Sequence, residues 1–215
     1  MARRSKTADQ ILGAALARFN DRGYATTTLA EIAASVDISQ GNLTYHFPTK
    51  RDLVTGIQEA VAAEIAQRRT LPTPDAIEDR YVEHLRFMMD VTARYRFLLR
   101  DDAHIEPGPD HETPHRVLVD GHATLRRLLD GVGDHGLFRQ DLDVDLDVLG
   151  RALWVLERYW MEYLNEMELR TEIGWEDQRR GIEHHFAVLL PNLTAEGRRR
   201  FTAALARVTD AGGAG

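Results

Sequence analysis

The segment TLAEIAASVDISQGNLTYHFPTK, residues 28–50, decides the fold of this chain. It contains two short stretches with helical character, residues 28–35 and 39–46, joined by about three residues. Thr28 and Glu31 have the spacing of a capping box, in which each residue satisfies a backbone donor at a helix start. Two short helices with this separation are typical of a helix-turn-helix.

The second of these helices is unusually polar. Leu43 and Phe47 can pack against apolar residues of neighbouring helices, and the side chains between them are left on or near the outer surface. Glutamine and asparagine can read adenine edges in the major groove, and hydroxyl groups with a helix N-terminus can hold phosphate. On polarity alone, a DNA-reading helix and an ordinary polar surface helix are about equally good interpretations.

Helical periodicity dominates the rest of the chain, so the sequence predicts an all-α protein of about nine to ten helices. We expect a three-helix, helix-turn-helix domain over residues 1–55 and a helical bundle over 56–215, with the helix 49–69 connecting them. "RRTLPTPD", residues 68–75, is the best boundary because two prolines interrupt the periodicity. The predicted helices cover 7–22, 28–35, 39–46, 49–69, 75–103, 114–135, 145–169, 175–190 and 194–209.

Composition limits the possible functions. The 215 residues include no cysteine, which excludes disulfides, thiolate catalysis and cysteine-based zinc sites. Residues 1–55 carry seven Lys or Arg against five Asp or Glu, whereas residues 56–215 carry 20 against 29. This asymmetry predicts that only the N-terminal part accepts a polyanion. No segment has the length of a membrane span, and we expect a cytoplasmic protein.

Residues 7–54 resemble the DNA-binding domain of TetR-family transcriptional regulators. The matching residues are Gly23, Thr27–Thr28, Ile32–Ala33–Ala34, Ile38–Ser39, Gly41–Asn42–Leu43, His46–Phe47, Lys50 and Leu53. The resemblance implies a homodimer that binds a two-fold-symmetric DNA operator, usually as a repressor, and is released by a small-molecule effector. It covers about a quarter of the chain.

Two positions depart from the family pattern. Asp37 stands in the turn where glycine is common, and aspartate tolerates the left-handed backbone better than most residues. Thr44 stands where many relatives have an aromatic residue, so Tyr45 is the predicted replacement as phosphate anchor. The predicted DNA-binding residues are Thr28, Ser39, Gln40, Gly41, Asn42, Thr44, Tyr45, His46 and Lys50, with further electrostatic contacts from Arg3, Arg4 and Lys6.

The C-terminal part carries apolar helices with aromatic and methionine side chains. Trp154 and Trp160 lie six residues apart, about 240° around a helix, so they face different neighbours. An apolar cavity for a small hydrophobic effector is predicted from His84, Met88, Phe97, Trp154, Arg158 and Met161. Since family relatives dimerise through two late helices, the interface is predicted from Trp160, Ile182, His185, Phe186 and Leu189, with the final helix as an alternative contributor.

Two motifs have spacings similar to those of metal sites, but neither meets the requirements of such a site. "HETPH", residues 111–115, has the zinc-protease spacing, but Pro114 belongs in the first turn of a helix, which leaves His111 outside. "DLDVDLD", residues 141–147, lacks the glycine and the glutamate of a calcium loop and instead suits the start of a helix. No cofactor, metal or catalytic residue is therefore predicted. The alternatives are a metal-dependent hydrolase using His104, His111 and His115, or a helical ligand-binding protein without specific DNA binding.

Overall fold

The computed structural model describes the backbone of residues 5–101, 112–141 and 145–212, and the side chains of 5–101, 120–141 and 145–209. These residues form ten α-helices and one short 3-10 helix, which confirms the predicted all-α class. β-pairing within the described ranges is one isolated bridge between Phe138 and Leu193. The helices are α1 Lys6–Arg22, α2 Leu29–Ser35, α3 Gln40–His46, α4 Lys50–Arg68, α5 Ile77–Arg94, α6 Phe97–Arg100, α7 Glu112–Asp134, α8 Leu146–Met167, α9 Trp175–Leu189, the 3-10 helix Leu190–Asn192, and α10 Ala195–Gly212.

The described residues group into two compact units. Unit 1 draws on residues 1–71 and 94–115, and unit 2 on residues 72–93 and 116–215. The units therefore divide the chain differently from the predicted domains, because α4 and α6 both pack with α1. The functional division at residue 55 stays a prediction.

Capping residues set the helix starts. The capping box predicted at Thr28 is present, and a second one forms at Thr49. Asp145 caps α8 by accepting the amide hydrogen of Asp147 at 2.7 Å. The start of α1 differs from the prediction. Ser5 is the cap, because its hydroxyl oxygen accepts the amide hydrogen of Ala8 at 3.1 Å, and the helix therefore begins at Lys6 and not at residue 7.

The predicted helix 75–103 is broken after Arg94. The side-chain amide of Asn20, on α1, donates to the carbonyl oxygen of Arg94 at 2.7 Å and accepts the amide hydrogen of Phe97 at 3.1 Å. These two bonds satisfy backbone groups that a continuous helix would pair internally. The chain therefore turns after α5 and restarts as α6, beside the end of α1.

Phe97 belongs to the core of unit 1. Its side chain is fully buried, and its ring centroid lies 5.0 Å from that of Phe19. It packs in the same cluster as Ile32 and Leu43, from α2 and α3. Phe97 is thus a core residue of unit 1, and its predicted effector contact stays a prediction.

The pairing of α8 with α9 depends on Trp160 and Gly181. The indole Nε1 of Trp160 donates to the carbonyl oxygen of Asp177 at 2.8 Å. A Cβ atom on Gly181 would lie 2.6 Å from Cδ1 of Trp160, so only glycine lets the indole approach this closely. Trp160 thus contacts α9 of its own chain.

The five side chains predicted at a dimer interface are all buried within unit 2. A side chain with almost no accessible surface cannot contact a partner chain, so we correct these positions to core positions. Their exposed fractions run from 6% to 0%, for Trp160, Ile182, His185, Phe186 and Leu189.

Replacing Gly181 with alanine is expected to lower the free energy of unfolding by about 1–3 kcal/mol, because the added methyl group overpacks the indole. Gly13→Ala is the matched control. Its Cβ would meet no atom within 4 Å, and alanine is the better helix former, so this variant should be neutral or slightly more stable. Denaturant unfolding followed by circular dichroism measures both; equal stabilities for the two variants would contradict the close packing.

Candidate functional site

Helices α2 and α3 form the predicted helix-turn-helix. They are separated by Val36–Ser39, and the amide of Ile38 donates to the carbonyl oxygen of Ala33 at 3.1 Å, which closes the turn. Asp37 has a φ of 55°, in the left-handed region. This confirms the prediction that Asp37 adopts a left-handed backbone in the turn, where glycine is common.

Thr28 and Ser39 use their hydroxyl groups to start α2 and α3. The oxygen of Thr28 accepts the amide hydrogen of Glu31 at 3.2 Å while its hydrogen is donated to the Glu31 carboxylate at 2.8 Å. Ser39 accepts the amide hydrogen of Asn42 at 3.1 Å. Both residues are exposed at helix N-termini, where a phosphate is favoured, and their contact with DNA stays a prediction.

α3 has one buried side and one polar side. Leu43 is fully buried and Phe47, which follows the helix, is 9% exposed, so these two hold the segment against unit 1. Tyr45 is 84% exposed, a large aromatic surface left in water. The other exposed positions among the predicted DNA contacts of α3 are Gln40, Gly41 and Asn42, with His46 half-buried.

Thr44 turns its hydroxyl back onto the helix. The hydroxyl donates to the carbonyl oxygen of Gly41 at 3.1 Å, and the residue is half-buried. The next position, Tyr45, instead projects into solvent, with its ring edge-on to His46 at 5.3 Å between centroids. This arrangement supports Tyr45 over Thr44 as the longer-reaching contact.

Lys50 is tied to the backbone of unit 1. Its ammonium group donates to the carbonyl oxygens of Tyr24, Ala25 and Thr27 at 2.8, 3.2 and 2.9 Å, and lies 4.6 Å from the centre of the Tyr24 ring. An ammonium group has three donors, so these bonds use all of them. Partial burial lowers the pKa of Lys50. We therefore correct Lys50 from a phosphate contact to a structural tie between the α1–α2 loop and α4.

Lys50→Met is expected to lower the free energy of unfolding by about 1–3 kcal/mol, because three charge-assisted hydrogen bonds are lost. The salt dependence of DNA binding should change little. Lys6→Met, at an exposed cation, is the control and should do the reverse: stability unchanged, with the slope of log affinity against log salt reduced by up to about 0.9. Denaturant unfolding and binding titrations in several salt concentrations measure the two quantities. A reduced slope with unchanged stability in Lys50→Met would restore the phosphate contact.

The remaining predicted effector residues lie on α5 and α8 of unit 2. His84 and Met88 are half-buried on α5, Trp154 and Arg158 are half-buried on α8, and Met161 is buried. Trp154 packs against the core of unit 2, with its ring edge-on to His122 at 5.8 Å. An effector contact for these five residues stays a prediction.

A buried polar cluster in unit 2 was not predicted from the sequence. The hydroxyl of Tyr81 and Nε2 of His185 are 2.9 Å apart, and both side chains are fully buried. Glu157 is 4% exposed and interacts electrostatically with Tyr81. Burial raises the pKa of Glu157 to about 8, and burial with the nearby His84 lowers the pKa of His185 to about 3. At neutral pH these shifts favour the uncharged forms of Glu157 and His185.

α8 also presents an exposed apolar stripe at helical spacing. Its members share one side of the helix and are about half exposed, except for the more exposed last residue; they are Val148, Val155, Tyr159, Tyr163 and Met167. Val188 adds a similar exposed side chain on α9. A stripe of this kind on a water-soluble helix marks an interaction surface. These positions replace the five corrected ones as candidates for a dimer interface.

The histidines considered for metal chemistry are largely outside the described residues. His104 and His111 lie there completely, and the side chain of His115 is not described. α7 begins at Glu112, so Pro114 falls in its first turn, as expected. Where side chains are described, no three His, Asp or Glu are grouped closely enough to bind a metal ion. The described helices also include no segment with the length and hydropathy of a membrane span.

A helix-turn-helix in one unit, followed by a second helical unit with its own core, defines the class of helical DNA-binding regulators. Two family descriptions match the chain. "Bacterial regulatory proteins, tetR family" matches residues 11–57, and "Bacterial transcriptional repressor", of the TetR type, matches residues 61–201. Together they span both units. The chain belongs to the TetR family of transcriptional regulators.

Individual relatives share only part of their sequence with this chain. The regulator CymR of Pseudomonas putida is 27% identical over 94 residues, which are 41% of this chain and 46% of that protein. The chain thus spans about half the length of this curated relative. A TetR-family regulator from Marinobacter aquaeolei has a similar structure, with a TM-score of 0.78, 27% identity, and coverage of 94% of this chain and 98% of that one. A gamma-butyrolactone receptor shares the fold, with a TM-score of 0.70, 21% identity, and coverage of 97% and 100%.

Proposed function

We propose that this protein is a one-component transcriptional repressor that binds a two-fold-symmetric operator as a homodimer and is released by a small-molecule effector. The observation that carries the proposal is α3, a helix whose one apolar side is buried in unit 1 and whose other side presents uncharged hydrogen-bonding groups. Unit 2 would supply dimerisation and effector binding, in agreement with the match to the repressor description. The protein would act in the cytoplasm, on DNA.

On DNA, α3 would enter the major groove. Gln40 and Asn42 are exposed, and their amide groups can bond both N6 and N7 on the major-groove edge of an adenine. Ser39 and the start of α3 would face a phosphate, while Tyr45 would reach the backbone of the duplex. In a dimer, two copies of α3 would occupy successive major grooves, about 34 Å apart.

The response to the effector would pass through α5. This helix carries His84 and Met88 in unit 2, and its last residue, Arg94, pairs with Glu64 within unit 1. A change in α5 on effector binding would therefore reach residues bonded to the N-terminal helices. The separation of the two copies of α3 would change, and the dimer would no longer fit both half-sites.

Gln40→Ala should cost about 1–3 kcal/mol of DNA-binding free energy at one operator position and relax the base preference there. Gln67→Ala, at an exposed glutamine on α4, is the matched control and should leave the preference unchanged. Selection of bound sequences from a random DNA pool, followed by titration of the selected site and its single-base variants, makes the measurement. A uniform loss across all sequences would contradict base reading by Gln40. Failure of the native protein to select any sequence would contradict the repressor function.

The dimer is proposed to form through the exposed stripe of α8. Tyr159 is 51% exposed at the centre of this stripe, and a glutamate there would place an unpaired charge in the interface. Tyr159→Glu should yield single chains by light scattering and lose operator binding. Leu71→Glu, at a side chain of similar exposure (48%) outside α8, is the control and should remain dimeric. A dimeric Tyr159→Glu variant would place the interface elsewhere.

A further inference from the structure

Three helices of unit 2 each place a polar side chain among buried apolar residues. Tyr81 lies among buried residues of α5, Glu157 among those of α8, and His185 among those of α9. The three residues are 76 and 28 positions apart in the chain, yet the fold places the Tyr81 hydroxyl 2.9 Å from Nε2 of His185 and lets Glu157 act electrostatically on Tyr81.

Three other polar residues of unit 2, each at most 8% exposed, have hydrogen-bond partners within the fold. Glu78 accepts two hydrogen bonds from Arg200, at 3.0 and 2.7 Å. Asp177 is bonded by Arg170 and by the amide of Gly174, and Thr92 donates to the carbonyl oxygen of Met88 at 3.0 Å. The fold itself therefore supplies hydrogen-bond partners for these three residues.

Two atoms of the cluster are not satisfied in this way. Among the described residues, Oε2 of Glu157 and Nδ1 of His185 are buried and have no hydrogen-bond partner. An unpaired buried polar atom costs about 1–3 kcal/mol, so two of them in one cluster mark a place where a ligand can supply the missing bonds. Half-buried Met88 and Trp154, on the same two helices as Tyr81 and Glu157, provide apolar surface nearby.

We propose that Tyr81, Glu157 and His185 bind the polar end of the effector, and that the effector is an uncharged molecule with a hydroxyl or carbonyl group on an apolar body. This inference rests on the proposed function, since it assumes that unit 2 binds an effector. A neutral carboxyl and a neutral imidazole offer both a donor and an acceptor to such a group. A neutral ligand group also avoids the cost of moving a charge from water into the interior of unit 2.

Calorimetric titration of the full chain with three probes of equal length tests the charge preference. The probes are octan-1-ol, octanoate and octylammonium. Octan-1-ol should bind at least tenfold more tightly than either ion at neutral pH. Tightest binding of octylammonium or octanoate, equal binding of all three, or saturable binding of none would overturn the proposal.

Variants of Glu157 then test the residue assignment. Glu157→Leu should weaken octan-1-ol binding about fivefold, because one hydrogen bond is lost, whereas Glu157→Gln should retain it. Tyr81→Phe provides a second test and should weaken binding similarly, since it breaks the bond to His185. Glu166→Leu, at an exposed carboxylate of the same helix, should bind like the native chain. Unchanged affinity in both Glu157→Leu and Tyr81→Phe would overturn the assignment.

Selection of DNA sequences with the same native preparation separates the two levels of the argument. Sequence-specific DNA binding without the octan-1-ol preference would overturn the effector inference and leave the repressor function intact. The octan-1-ol preference without DNA selection would support the ligand site and contradict the repressor function.

Discussion

The seven residues of α3 are too few to form a stable helix alone, since isolated helices below about 12 residues are marginal in water. Its conformation therefore depends on how Leu43 is held in the core of unit 1. Ser39 caps one end, and Phe47 packs at the other. The polar side of α3 keeps a defined orientation only because these contacts exist. Every proposed contact of α3 with DNA depends on this packing.

The same core also holds α6. Asn20 bonds the carbonyl of Arg94 and the amide of Phe97, and Arg100 donates to the carbonyl oxygens of Phe19 and Asn20 at the end of α1. The two bonds from Arg100 satisfy carbonyl groups in the last turn of α1, which a helix end leaves without internal partners. Since α6 follows α5 directly in the chain, the proposed effector response would enter unit 1 at the residues that support α3.

Local patterns in the sequence predicted local structure well. The capping box at Thr28, the left-handed turn at Asp37 and the acidic start of α8 each depend on a few neighbouring residues, and all three are present. Long-range contacts could not be read in the same way. Lys50 fits a phosphate contact by its charge and position, and only the fold shows that three distant carbonyl oxygens occupy its donors.

Trp160 illustrates the limit of periodicity. Its angular separation from Trp154 predicts that the two indoles face different neighbours, but periodicity does not say whether a neighbour belongs to the same chain. Gly181 decides this, because its missing side chain makes room for the indole between α8 and α9. With Trp160 inside, the exposed stripe through Tyr159 becomes a candidate surface for the proposed dimer.

The polar cluster of unit 2 could not be found from motif spacing, since its three members come from three separate helices. Its energetics nevertheless distinguish it from the rest of the core. Leucine at position 157 would remove the cost of burying a carboxyl group and would continue the apolar side of α8. Glu78 and Asp177 show that this chain can bury a carboxylate and pair it with arginine. Among the described residues, Oε2 of Glu157 has no such partner, so its burial destabilises the folded chain. A ligand that completes these hydrogen bonds would offset the cost only when bound, which would make unit 2 more stable in the bound state and couple its conformation to the effector.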